Sequence, residues 1–201
     1  MLRPTLCVSA LVMAVPARAA LIASWDFNDS TLAPSVGAGV LTTDVDSVRF
    51  VTGTTVNALP SAPAGYALAL TFTSDDERSF TLGFDATGLE DLVVSVAWCR
   101  DNRSFNSNRV SWSTDGTNFA ELKHNVKSRG SDFGVQVLDF SSIPVVDGAS
   151  SVFVVFAIGG AGNGGAEIQV DNIQIAGAPA PAPAGLGALG LAGLLGLRRR
   201  R

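Results

Sequence analysis

Histidine occurs once in these 201 residues, at His124, and cysteine twice, at Cys7 and Cys99. One imidazole with no cysteine pair at ligand spacing leaves a zinc site without donors. No G-x-S-x-G marks a nucleophile turn, so a Ser–His–Asp triad on His124 has no support. His124, in "ELKHNVKS", reads as solvated. Cys7 falls in an apolar leader, which leaves Cys99 with no internal disulfide partner. Cys99 therefore reads as a buried, inert thiol. The glycine-rich "IGGAGNGGAE" is followed by no Lys-Ser/Thr and no helix, which excludes a phosphate cradle. Carboxylates occur as neighbours, Asp75-Asp76-Glu77 and Glu90-Asp91, whereas glycoside hydrolysis needs two fixed across a cleft. The chain is expected to be no enzyme and to need no cofactor, with a structural Ca²⁺ as the one exception raised below.

Positive charge is also scarce, except at the ends. Six of the 14 basic residues are Arg3, Arg18 and Arg198 to Arg201, whereas all 18 acidic residues lie between Asp26 and Asp171. Eight basic against 18 acidic residues give the middle a charge of −10, which argues against a nucleic-acid partner. The first end has Arg3, an apolar stretch from Leu6 to Val15, Pro16, then Ala17-Arg18-Ala19. That combination predicts a signal peptide over 1–19, cut by signal peptidase before Ala20. The last end has an uncharged run from Ala184 to Leu197 and then four arginines. A 14-residue helix is about 21 Å long, against a hydrocarbon core of about 30 Å. Starting it at Pro181 adds about one turn, and the arginines would snorkel to cytoplasmic headgroups. The expected topology is a domain exported across the inner membrane to the cell surface or matrix, with a weak C-terminal membrane helix.

Between the ends, residues 21–176 show strand alternation and no convincing helix. "SFTLGFD" puts Phe80, Leu82 and Phe84 on one face and Ser79, Thr81 and Asp85 on the other. "DLVVSVAW" groups Leu92, Val94, Val96 and Trp98, and "VFVVFAI" is apolar on both faces, as in a central strand. Further strands are expected over 21–27, 46–52, 66–72, 109–113, 118–122, 135–140 and 166–175. Asp115-Gly116, between two alternating runs, predicts a hairpin. About ten short antiparallel strands with glycine-rich turns predict an all-β fold, a jelly-roll-like antiparallel β-sandwich over 20–177. Its first and last strands, "LIASWDF" and "AEIQVDNIQI", are expected to pair. In the last strand Ile168 and Val170 keep one register and Ile173 and Ile175 the other, so a β-bulge at Asp171-Asn172 is required to bury both pairs. A Pro/Ala spacer follows over 178–183. Trp25, Trp98 and Trp112 read as core.

The order of parts carries a resemblance. An apolar leader, a β-rich body, the spacer, a short Gly/Leu helix and an arginine cluster resemble exported bacterial proteins with a PEP-CTERM sorting signal. The match covers Pro179, Pro181, Pro183 and Arg198, Arg199, Arg200, Arg201, in a divergent form with "PAPAPAG" where Pro-Glu-Pro is usual. The body, through "ASWDFND", "GTTVNALP", "FNSNRVSWSTDGTNF", "VQVLDFSSI" and "DNIQIAG", is similar to a β-sandwich found in such proteins. The resemblance implies an exosortase-type sorting enzyme as partner and a place in exopolysaccharide or biofilm matrix. It implies no catalytic activity.

Two stretches stand out as candidate sites. Asp26, Asn28 and Asp29 near the first strand, with Asp171 at the expected bulge, supply hard oxygens for calcium, so Asp26, Asp29 and Asp171 are the candidate metal ligands. "CRDNRSFNSNR" gathers Arg100, Arg103, Asn106, Asn108 and Arg109 around Phe105, planar polar groups beside an aromatic, which suits sugar hydroxyls, ring faces and acidic polysaccharide groups. The function expected is a non-catalytic structural or adhesive matrix protein. The alternatives are a discrete carbohydrate-binding module and, last, a polysaccharide-active enzyme. In a host with an active exosortase, intact-mass measurement of the surface-retained protein should show loss of the residues after about Pro183. Arg201 still attached there would make the tail a plain anchor.

Overall fold

The computed structural model describes residues 19–72, 77–100, 107–124, 131–160 and 166–181. Among them are twelve strands: β1 (Ala20–Trp25), β2 (Val36–Gly37), β3 (Val40–Thr43), β4 (Ser47–Thr52), β5 (Tyr66–Phe72), β6 (Arg78–Phe84), β7 (Leu89–Arg100), β8 (Ser107–Ser113), β9 (Ala120–His124), β10 (Gly134–Asp139), β11 (Val152–Gly159) and β12 (Ala166–Pro179). A 3₁₀ turn over Pro144–Val146 is the one helical element among the described residues. All strand pairs are antiparallel and form two sheets. One runs β10-β7-β12-β1-β2, with β5 also on β12 and β4 on β5, seven strands in all; the other runs β3-β6-β11-β8-β9. The fold is the expected β-sandwich.

Alternation places the core between the sheets. Phe80, Leu82 and Phe84 of β6 point inward, as do Val152, Val154, Phe156 and Ile158 of β11. They meet Leu92, Val94, Val96 and Trp98 of β7 and Ile168, Val170, Ile173 and Ile175 of β12. Phe80 and Phe156 stack with ring centroids 4.4 Å apart, and Trp98 meets Phe156 edge-on at 6.3 Å. Trp25 is fully buried and Trp112 packs half-buried against the same core. Burying each such side chain stabilises the fold by about 1.5–3 kcal/mol. β11, apolar on both faces, lies at the centre of its sheet as expected.

β2 and β3 were not anticipated, being too short or too polar at the edges to show a period. β12 runs to Pro179, where Ala178 lies opposite Glu90 and Pro179 opposite Leu89. The sheet thus extends into the stretch expected to be spacer. The leader 1–18 and the tail from residue 182, with Pro183 and Arg198, Arg199, Arg200 and Arg201, lie outside the described residues. No helix among the described residues is long and apolar enough to cross a membrane.

The register break in β12 is real and has a structural cause. Ala166 to Val170 pair with β5, whereas Ile173 to Gly177 pair with β1. The ladder to β7 slips between Asp171 and Gln174, and Asn172 takes φ of 45°, a left-handed value that asparagine tolerates better than most residues. Ile168, Val170, Ile173 and Ile175 are all fully buried as a result. The loop 53–65 closes over the break. Thr54 N–H donates to Asp171 Oδ2 at 2.8 Å, and Asn172 Nδ2 donates to the carbonyls of Thr54 and Val56 at 2.7 and 3.0 Å. Asn57 Nδ2 donates to Asn172 O at 2.7 Å and to Ser95 Oγ at 3.0 Å, while Gln174 Nε2 donates to Asn57 O. Replacing Asn172 with Ala strands two carbonyls and leaves the left-handed backbone to alanine. Asn172→Ala should lower stability by about 1–3 kcal/mol, read as a lower urea midpoint with unchanged slope. An unchanged midpoint would show that the loop does not depend on this side chain.

Candidate functional site

The outward face of the five-stranded sheet is ordered by cross-strand register. Val40 lies opposite Gly83, Gly83 opposite Phe153, and Phe153 opposite Ser113. Two residues along, about 6.8 Å further, Thr42, Thr81, Val155 and Ser111 form a row rich in hydroxyls. A third row holds Ser79, Ala157, Arg109 and His124.

Phe153 is set by what its neighbours lack. A Cβ on Gly83 would sit 3.4 Å from Phe153 Cε1, and one on Gly116 would sit 3.3 Å from Cε2. These carbons belong to opposite edges of the ring, so the ring bridges from β6 to the turn joining β8 and β9, and no side chain from either position overhangs it. Gly116 has φ of 71°, as the turn after Asp115 requires. Asp115 fixes that turn by accepting from Ser113 Oγ at 2.8 Å, the Thr117 and Asn118 amides at 2.8 Å each, and Asn118 Nδ2 at 2.7 Å. These donors, Asn118 foremost, hold its carboxyl well below the usual carboxylate range.

Beside the ring is an open pocket of about 430 Å³, within the size range of small-molecule sites. Gly39, Val40, Gly83 and Phe153 give it apolar walls, and Asp85, Ser150 and Ser151 give it a polar rim. Asp85 accepts from the Thr87 amide at 2.7 Å, and hydrogen bonds from Thr87 keep its carboxyl below the usual range. The pocket therefore offers an apolar aromatic surface beside an ionised acceptor and two hydroxyls.

The described members of the sequence-derived ligand candidates, Arg100, Asn108 and Arg109, have different surroundings. Arg109 lies on this outward face, where it pairs with Glu77. Asn108, one residue away, lies opposite Ile158 on the inward side and is buried, because successive residues of a strand point to opposite faces. Arg100 ends β7, on the other sheet, opposite Ile168. Arg103, Phe105 and Asn106 lie outside the described residues. Sequence reading missed Phe153, Gly83, Gly116 and the row of Thr42, Thr81 and Ser111. The alternation in "SFTLGFD" already placed Thr81 outward, but its partners come from strands far away in sequence.

Asp171 is fully buried at the bulge and accepts from Thr54 N–H at 2.8 Å and Asn172 N–H at 2.7 Å. Asp26 is close enough to repel it. Asp26 accepts from the Asn28 amide, and Asp29 from the amide and hydroxyl of Thr31. Among the described residues no three His, Cys, Asp or Glu side chains group as a metal site requires. Burial pushes the Asp171 carboxyl up to about 7, with the charge on Asp26 adding to the shift against its two amide donors. Cys99 is buried, and burial, then Glu167 and Asp132, push its thiol up to about 11. It is an inert thiol at neutral pH. His124 is exposed, 3.5 Å from Glu121.

No family model matches the chain, and no curated protein sequence matches it. Solved structures superpose on it. An exo-β-agarase superposes with a TM-score of 0.51 at 12% identity, over 79% of this chain and 25% of the agarase. TmCBM61, in complex with β-1,4-galactotriose, gives 0.46 at 12% identity, over 75% of this chain and 92% of that one. The K2 adhesin domain of Lys-gingipain gives 0.46 at 13% identity, over 76% and 96%. At 12% identity the likeness to the agarase is one of fold alone.

The buried Asp171 predicts a pH dependence. Its folded-state value of about 7 lies above the ordinary 3.8. Between these values the native state holds a proton that the unfolded state releases, so this group's contribution to stability falls as pH rises from about 4 to about 7 and is flat above. Melting temperatures across that range should decline in the parent, with a shallower decline in Asp171→Asn. Parallel profiles for the two proteins would show that Asp171 is ionised throughout.

Proposed function

We propose that this chain is an exported, non-catalytic β-sandwich protein that binds glycan chains on the outward face of its five-stranded sheet and serves as an adhesive or structural component of extracellular matrix. The observation that carries the reading is the Phe153 ring, bounded at opposite edges by Gly83 and Gly116 and adjoining the pocket rimmed by Asp85, Ser150 and Ser151. A sugar ring presents C–H groups on its faces and hydroxyls around its edge. An aromatic face suits the first, and a carboxylate with two hydroxyls suits the second. The likeness in fold to part of an exo-β-agarase accords with a polysaccharide ligand. Against catalysis stands the pocket itself: its described lining holds one carboxylate, Asp85, where glycoside hydrolysis uses two.

Export and sorting rest on the sequence: the basic, apolar and small-x-small leader, the Pro/Ala spacer and the arginine-capped tail. In this reading signal peptidase removes the leader and the tail engages the membrane, where an exosortase-type enzyme acts on it. Titration of the purified protein against polysaccharides and their oligosaccharides tests the glycan reading. Phe153→Ala should weaken binding at least about tenfold, about 1.4 kcal/mol, with little change in melting temperature because the ring is on the outer face. Undiminished affinity in that variant would remove this face as the site.

A further inference from the structure

Resting on the glycan reading, we infer that the ligand of this face is a neutral chain, free of uronate and sulfate groups, lying across the strands and not a single terminal sugar. Two features of the face carry this. The first is charge. Asp85 stands on the pocket rim, and Asp115 holds the turn that touches Phe153. Further along, Asp44 holds the Ser79 amide, and Glu121 lies opposite Ser111. Among the described residues of the three outward rows the only Lys or Arg is Arg109, and Glu77 already takes it. Asp85 and Asp115 are both held below the ordinary carboxylate range, so they stay ionised through neutral pH and well into acid. A uronate or sulfate over Phe153 would meet fixed negative charge with no unpaired Lys or Arg among the described residues of these rows, inside a domain already at −10. A neutral hydroxyl meets the same carboxylates as acceptors and forms charge-assisted hydrogen bonds.

The second feature is extent. The apolar strip runs perpendicular to the strands, from Val40, 61% exposed, over Gly83 to Phe153 and on to the turn at Gly116; Phe119, 45% exposed, follows in the same β8–β9 connection. Strands lie about 4.8 Å apart, so the strip from β3 to the β8–β9 turn spans about 14 Å, longer than one sugar ring. The row of Thr42, Thr81, Val155 and Ser111 runs parallel to it, with hydroxyls on β3, β6 and β8 and Val155 on β11. The strip and this row together make a surface longer than one sugar, over which successive units of a chain can each find contacts.

The test uses the full chain titrated with β-1,4-linked gluco-, galacto- and manno-oligosaccharides of one to six sugars, and with the same oligomers oxidised at C6 to uronates. Neutral oligomers should bind, with affinity rising over the first few sugars and little affected by salt. The uronates should bind at least tenfold more weakly, with affinity that rises as salt screens the repulsion. Asp85→Asn, which keeps an acceptor for the Thr87 amide, should narrow the gap between neutral and oxidised ligands. Uronates bound as tightly as neutral oligomers, or affinity already complete with a single sugar, would overturn this inference while leaving glycan binding intact. Neither series bound by the parent would overturn the glycan reading and the inference with it.

Discussion

One strand has to serve two partners. β12 crosses the whole seven-stranded sheet beside β7, yet on its other edge it meets β5 first and β1 second. A strand with unbroken alternation could bury its apolar residues along only one register. The slip at Asp171-Asn172 lets both halves face the core, and it leaves a fork in the sheet that backbone alone cannot close. The loop 53–65 closes it with amide and carboxamide groups. Polar residues are thus buried where the sheet divides, each with partners.

That arrangement leaves the second sheet free of such obligations. β6, β11 and β8 pair in continuous register, so their outward residues fall into straight rows. The glycines in those rows matter because they are beside Phe153. A larger residue at either place would press against the ring's edge or overhang it. The rows around Phe153 are therefore made by three strands in continuous register, while the slip at Asp171-Asn172 lies in the other sheet.

Much of the architecture was legible because it is local. The alternation of "SFTLGFD" and "DLVVSVAW", the Asp115-Gly116 turn and the change of register within "AEIQVDNIQI" each lie within a few residues of one another. The short edge strands β2 and β3 carry too few residues to display a period. The site is less legible because it depends on register between distant strands. Nothing in "VFVVFAI" distinguishes the outward Phe153 from the inward Phe156 until the strand's facing is known, and Gly83 comes to its side from seventy residues away. Arg100, Asn108 and Arg109 show the converse. They are close in the chain, but a passage from one sheet to the other and the alternation of strand faces send them to three different environments.

The place where the described chain leaves the sandwich has a mechanical consequence. Ala20 lies opposite Gly177, and Ala180 N–H bonds to Gly88 O, so the chain enters and leaves at the same end. The departing strand is flanked by β1 and β7 together. A pull on the chain beyond Pro181 therefore loads ladders on both edges of β12 in parallel, in shear, before any core residue is drawn out. Unravelling from that end must then draw out Ile175 and Ile173 before it reaches the hydrogen bonds that hold Asn172 beneath the 53–65 loop. The bulge that solves a packing problem thus also acts as a stop, set between the point of traction and the deeper half of the strand.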